Sequence, residues 1–230
     1  MKLSILIPVY NEEKTILSVL ERVNAQRNDG LELQIVVIDD GSKDKTIQLL
    51  ESRPELYDIF HKVEKNSGKG YAIKTGLGLC TADHVLFQDA DEEYDPAEIS
   101  RLVMPVQRFG ADIVMGSRMT GSEFTRVHYF WHRVGNQFIT LLFNVLHNTT
   151  FTDIYSCYLL FRRSYIDPAQ LKTVGWEQQA EILSKATNQA QRIYEVPITY
   201  QGRTYEEGKK IRAHHVIPVI WTIFRRGFFG

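Results

Sequence analysis

Apolar residues run from Leu3 to Val9 with only Ser4 and Pro8 between them. A strand covered on both faces requires that continuity, so residues 3–9 predict a buried strand. Ile16, Val19, Leu20 and Val23 then recur at helical spacing. The alternation repeats: residues 33–38 are rich in β-branched side chains, 39–46 are polar, and Ile47 and Leu50 begin a second periodic segment. Residues 59–63 predict a third strand. Gly68-Lys69-Gly70 opens a helix carrying Ala72, Ile73 and Leu77, and Val85-Leu86-Phe87 forms a strand that ends at Asp89-Ala90-Asp91. Alternating strands and helices imply an α/β fold with a mostly parallel central sheet flanked by helices. Ligands of such open sheets bind beyond the carboxyl ends of the strands. Asp39-Asp40 and Asp89-Ala90-Asp91 both fall there, so two acidic turns are expected to meet at one crevice.

The second half is less regular. A helix from Pro96 to about Phe109, a strand over 112–115 and a polar loop with Gly116-Ser117-Arg118 are predicted. Residues 128–146 place Phe130, Trp131, Val134, Phe138, Leu141, Leu142, Val145 and Leu146 on one stripe of a long helix, and core packing is expected for it rather than membrane contact. Residues 216–224 are again strongly apolar. No repeat, low-complexity stretch or Pro/Gly-rich linker divides the chain. With 43% hydrophobic and 24% charged residues, 230 residues suit one core better than two. The expected organisation is a catalytic domain over 1–211 and an amphipathic basic and aromatic tail over 212–230.

A formal net charge of -1 provides no general attraction to nucleic acid, and none is expected as a partner. No run reaches the roughly 18–20 apolar residues that span a bilayer, so any membrane contact is expected to be peripheral or through a partner. The N-terminal apolar run, broken by Pro8 and by polar Asn11 to Lys14, reads as a strand and not a signal peptide. Cys80 and Cys157 sit in apolar stretches without metal-ligand spacing, which fits a reducing compartment.

Asp89 and Asp91 offer two hard oxygen ligands at one turn, suited to Mg²⁺ or Mn²⁺ that also holds diphosphate oxygens. Such a triplet alone is a common turn former; its delivery by a buried strand beside a second acidic turn favours the metal. Asp39-Asp40-Gly41-Ser42 then suits the ribose and base, with backbone and Ser42 donors nearby. Gly68-Lys69-Gly70 and Gly76-Leu77-Gly78 only superficially resemble phosphate loops. A Walker A loop would need glycine where Val63 stands, and a dinucleotide fingerprint would need it at Thr81. Lys69 remains a candidate phosphate contact.

Six ordered segments carry a resemblance: Ile7-Pro8-Val9-Tyr10-Asn11-Glu12, Ile38-Asp39-Asp40-Gly41-Ser42, Asn66-Ser67-Gly68-Lys69-Gly70, Gln88-Asp89-Ala90-Asp91, Gly116-Ser117-Arg118, and Glu195-Val196-Pro197-Ile198 followed by Gly202-Arg203. Over nearly its whole length the chain resembles the family 2 glycosyltransferases of the GT-A fold, in the dolichol-phosphate mannose and glucose synthase branch and its bacterial polyprenyl-phosphate relatives. The resemblance implies a nucleoside-diphosphate sugar as donor. It assigns Pro8, Tyr10, Asn11, Glu12, Asp39, Asp40, Gly41 and Ser42 to the nucleoside side of that donor. Gly68, Lys69 and Ala90 fall at its diphosphate, and Asp89 and Asp91 at metal and diphosphate. Arg118 and Arg133 are assigned to an acceptor phosphate.

The departures narrow the reading. The Gln-x-x-Arg-Trp motif that marks processive polysaccharide synthases of the wider family is missing, as is the Glu-Asp dipeptide that supplies a base in hydroxyl-glycosylating relatives. A phosphate acceptor is already anionic and needs no base. Glu123, Asp153 and Glu181 are carboxylates that the fold could still bring to the site. After Tyr200 the chain is basic, and Lys209 and Lys210 are further candidates for the donor diphosphate. With Trp221, Phe224, Phe228 and Phe229 this tail reads equally as an interfacial element and as a core-packing helix with basic ends. The expected protein is an inverting transferase at the cytoplasmic face of a membrane, making a polyprenyl-phosphate sugar. An integral-membrane partner or a homo-oligomer is left open. Transfer to a saccharide or protein hydroxyl, and a silent nucleotide-sugar-binding subunit, are the alternatives.

Overall fold

The structure is a computed structural model that describes residues 1–121, 130–203 and 216–229. The first half follows the predicted alternation: β1 (Lys2–Val9), α1 (Ile16–Asn24), β2 (Glu32–Asp39), α2 (Thr46–Ser52), β3 (Ile59–Lys62), α3 (Lys69–Leu77) and β4 (His84–Phe87). Every residue of β1 after Lys2 is buried, as its unbroken apolar run requires. The second half contributes α4 (Ile99–Phe109), β5 (Ile113–Ser117), α5 (Phe130–His147), β6 (Leu159–Arg162), α6 (Gln178–Thr187), β7 (Ile193–Pro197) and α7 (Val216–Phe229).

The strands form one sheet in the order β3-β2-β1-β4-β6-β5-β7. All pairings are parallel except those of β6, which runs antiparallel between β4 and β5. β1 lies between β2 and β4, so the chain winds in opposite directions on its two sides. That switch point opens a crevice at the carboxyl ends of β1, β2 and β4, where the two acidic turns emerge.

The expectation for α5 is corrected. Only Ile139, Thr140 and Phe143 of this helix are buried. Phe130, Trp131, Phe138, Leu141 and Val145 are 69%, 76%, 57%, 61% and 73% exposed. Periodicity reports that a helix has an apolar stripe, not how much of it is covered; here Leu142 and Leu146 pack against the core and the rest of the stripe is exposed. α7 packs on α5 and α6, with Val219 and Ile223 buried and Gly227 against Leu146, and leaves Ile217 and Trp221 exposed. The core-packing reading of the tail holds on the inner face of α7, and its outer face is exposed. Among the described residues no helix is long and apolar enough to cross a membrane. The boundary expected near residue 211 lies outside the described residues.

Candidate active site

The turns after β1 and β2 are locked together by short polar side chains. Asn11, at φ 52, accepts the Lys43 amide on its side-chain oxygen, while its own N–H donates to Ser42 Oγ. Asn tolerates this left-handed conformation better than most residues. Gly41, at φ +74, passes so close to the next turn that a Cβ would lie 2.7 Å from Asn66 N. Asp39 is buried and accepts from the Gly41 and Ser42 amides through Oδ1, while Oδ2 has no hydrogen-bond partner among the described residues. Asp40 accepts from the Ser67 and Gly68 amides at 2.9 and 2.8 Å, so both its oxygens are held by backbone where α3 begins. Burial raises its carboxyl above the usual range against those donors.

Gly68 and Gly70 serve packing. A Cβ on either would come within 2.7 Å of Val174 backbone, because the segment before α6 lies directly on the start of α3. Lys69, between them, reaches inward and pairs with Asp89. A cavity of about 310 Å³ opens between these turns, lined by Pro8, Tyr10, Glu12, Asp40, Gly68, Lys69, Asp89, Ala90 and Asp91, with Glu93, Trp176, Tyr200 and Arg203 on its other walls. Nine sequence-predicted residues thus share one wall; Asn11, Asp39, Gly41 and Ser42 brace it from behind.

The second acidic turn is neutralised by side chains. Burial opposes the charge of Asp89, but Lys69 outweighs it and holds the carboxyl below its ordinary range. Asp91 pairs with Arg203 at 2.6 Å, and the same guanidinium reaches Glu12 at 3.3 Å. Burial, then the charges of Asp89 and Glu93, still push Asp91 up to about 7. A buried acid held that high sits among too much negative charge, a condition that a divalent cation relieves. Among the described residues no three His, Cys, Asp or Glu side chains cluster as a metal cage. Two carboxylates beside a cavity suit an ion that keeps water or phosphate oxygens as its other ligands.

Arg118 lies deeper. Its Nε and Nη2 form a fork on Asp153 at 2.6 and 2.8 Å, and its guanidinium lies 4.9 Å from the centre of the Tyr200 ring. Asp153 is buried and Arg118 half-buried; each desolvation is outweighed by the partner, so Arg118 is held well above and Asp153 below its usual range. Arg118, Tyr155, Cys157, Trp176 and Gln179 line a second cavity of about 70 Å³ that shares Lys69, Asp89, Glu93, Trp176 and Tyr200 with the first. Asn136 of α5 donates to Asp153 at 3.0 Å. Arg133, one turn earlier on α5, is exposed and lines neither of these two cavities.

Of the carboxylates left open as bases, Asp153 is committed to Arg118, and Glu181 is buried under four donors and lines neither cavity. Glu123, Lys209 and Lys210 lie outside the described residues. Arg203, Glu93, Trp176 and Tyr200 were not singled out as site residues from sequence. Arg203 stood within a matching segment, but its place beside Asp91 depends on closure across 112 positions.

A seven-stranded sheet with paired acidic turns at its switch point and a cavity between them defines a GT-A architecture. The chain belongs to the glycosyl transferase family 2, whose family model matches residues 4–167. It is 30% identical over 206 residues to the low-salt glycan biosynthesis hexosyltransferase Agl6 of Haloferax volcanii, covering 89% of this chain and 49% of that protein. It is 29% identical over 212 residues to the undecaprenyl-phosphate 4-deoxy-4-formamido-L-arabinose transferase of Proteus mirabilis, covering 90% and 62%. The chain thus spans about half to three fifths of the length of these relatives. The fold superimposes on glucosyl-3-phosphoglycerate synthase from Mycobacterium tuberculosis, in a complex with Mn²⁺, uridine diphosphate and phosphoglyceric acid, with TM-score 0.72 and 21% identity over 99% of this chain and 78% of that one. S. aureus TarS 1-349 gives TM-score 0.64 and 20% identity over 100% and 72%.

Proposed function

We propose that this chain transfers a sugar, with inversion, from a UDP- or GDP-sugar to a polyprenyl phosphate at the cytoplasmic face of a membrane. The observation that carries the reading is the second cavity: it adjoins the aspartate pair, holds Arg118, and among the described residues has no carboxylate that is not already bound. Such a site suits an acceptor that arrives anionic and needs no proton removed. Its phosphate oxygen attacks the anomeric carbon, the bond to the diphosphate breaks, and the nucleoside diphosphate leaves on the opposite face. Asp39 Oδ2, buried next to the lining residue Asp40 and without a hydrogen-bond partner among the described residues, suits the ring N–H that uracil and guanine both present. Lys69 neutralises diphosphate oxygens once released from Asp89, and Arg118, with Arg133 from α5, orients the acceptor. A divalent cation held by Asp89 and Asp91 would supply charge neutralisation of the leaving group.

The exposed apolar faces of α5 and α7 support the membrane part of the reading, since a surface of that kind marks an interaction site. The test is transfer of radiolabelled sugar from a panel of UDP- and GDP-sugars into detergent-dispersed polyprenyl phosphate, with Mg²⁺ or Mn²⁺ and with EDTA. A metal-dependent, lipid-extractable product is expected. Product on soluble hydroxyl acceptors alone would replace this reading with hydroxyl transfer, and nucleotide binding without any transfer would replace it with a silent binding subunit. In a vesicle sedimentation assay, Trp131→Ser combined with Trp221→Ser is expected to lower the bound fraction several-fold.

A further inference from the structure

Glu181 of α6 is fully buried, yet it lies outside the site just described. Its carboxylate accepts from the backbone N–H of Lys172 at 3.1 Å and of Thr173 at 2.9 Å, and from Thr173 Oγ1 at 2.7 Å. The remaining donor is Arg226, from the last turns of α7. One carboxylate therefore joins three parts of the chain: α6, the segment over 172–173, and α7.

That segment leads directly to the donor cavity. Its Val174 backbone lies against Gly68 and Gly70, close enough to exclude a Cβ at either. Gln178, at the start of α6, donates to Gly70 O at 2.5 Å and pins the same junction from the other side. Gly175 and Trp176 then line both cavities, and the Trp176 ring lies 5.4 Å from Lys69 Nζ, the group paired with Asp89. A short series of contacts thus runs from Arg226 through Glu181, residues 172–176 and Lys69 to the aspartate turn. A buried carboxylate is held in place by its charged partner; without Arg226 an uncompensated charge is left in the interior, and the backbone donors it organises lose their fixed acceptor.

We propose that Arg226 and Glu181 are positioning residues of the donor site, through which the seating of α7 sets the pose of Trp176 and Lys69. The inference rests on the reading of the large cavity as the nucleotide-sugar site. It gives α7 two tasks. Its outer face, with Ile217 and Trp221, is exposed, while its inner face fixes a wall of the cavity.

The test is binding of UDP and GDP with Mn²⁺, followed by intrinsic fluorescence in a Trp131→Phe, Trp221→Phe background that leaves Trp176 as the reporter. Arg226→Gln is expected to weaken nucleotide binding about tenfold and to shift the Trp176 emission, raising the donor KM while the acceptor KM stays unchanged. Arg226→Lys is expected to restore most of the affinity. Glu181→Gln combined with Arg226→Gln is expected to cost less than the sum of the two single changes, because each single change leaves a lone buried charge and the double variant leaves none. Circular dichroism and thermal unfolding identify any variant that has not folded, and the Lys variant then carries the comparison. Unchanged nucleotide affinity in folded Arg226→Gln, or strictly additive effects, would overturn the proposal. If the unaltered chain binds neither nucleotide, the donor reading fails first and this inference with it.

Discussion

The two acidic turns stand side by side at the sheet edge and are completed in opposite ways. After β2, Asp39 and Asp40 are held by their own neighbourhood's backbone: Gly41 and Ser42 amides on one, Ser67 and Gly68 amides on the other. After β4, Asp89 and Asp91 are neutralised by the long cationic side chains of Lys69 and Arg203. Backbone amides cannot leave without undoing a turn. Long cationic side chains can release a carboxylate by rotating, and once released they are free to neutralise phosphate. The first turn is therefore built as a fixed frame and the second as an exchangeable one, which suits the proposed loading and discharge of a metal-bound diphosphate.

The sharpest way to break that comparison is to remove charge from each turn in turn. Asp91→Asn is expected to lower kcat about 10³-fold, the scale of losing one transition-state stabiliser. It should leave the melting temperature in EDTA unchanged or raised, since the ionised group is unfavourable where it stands. Near-normal metal-dependent turnover in this variant would remove the assigned role. Arg118→Ala comes next: besides weakening acceptor use, it strands the buried Asp153, and removing one partner of such a pair costs about 3–5 kcal/mol. Arg118→Lys keeps the charge and loses the fork, so it separates the two effects; an unchanged acceptor KM in a folded Lys variant would refute the acceptor assignment. Asp40→Ala should behave as a frame residue. It leaves the Ser67 and Gly68 amides without acceptors and is expected to lower stability by about 1–3 kcal/mol in urea unfolding, whether or not metal is present. A loss confined to metal-loaded turnover would mean that the two turns are not built differently after all.

What sequence could reveal follows the same division. β1, β2 and β4 are continuous apolar runs buried on both faces, so their ends, and the aspartates on them, were placed correctly from pattern alone. β6 carries an apolar run, Leu159-Leu160-Phe161, as short as that of β4, and its antiparallel place between β4 and β5 is set by tertiary closure, while β7 mixes Tyr194, Glu195 and Pro197 into five residues, so neither strand was read from sequence. Residue type marked Asp40 and Lys69 as chemical groups. It did not say that one would clamp α3 and the other would pair with Asp89, because those partners are set by tertiary closure. The stripe on α5 was legible as a stripe, and its exposure was not, since a helical period is the same against a core and against an open surface.

The smallest expected effect sharpens the comparison most directly, because it uses protons in place of mutations. Asp91 is held up to about 7, chiefly by burial and then by the charges of Asp89 and Glu93. A metal ligates only the ionised carboxylate, so the proton competes with it. Mn²⁺ affinity, measured by calorimetry with UDP between pH 5.5 and 8, is expected to fall up to about tenfold per pH unit below 7 and to level off above it. Stability without metal runs the other way. Because the folded-state value lies above the ordinary carboxylate value of 3.8, the contribution of this group is fully present below about 4 and is lost as the pH rises through about 7. In EDTA the melting temperature should therefore decline towards neutrality, and saturating Mn²⁺ with UDP should restore it most at the alkaline end. Asp91→Asn should flatten both profiles. Asp153→Asn should flatten neither in this window, since its carboxyl is held below the ordinary range and titrates only in stronger acid. A pH-independent Mn²⁺ affinity in the unaltered chain would place the metal away from Asp91 and end the contrast between the two turns.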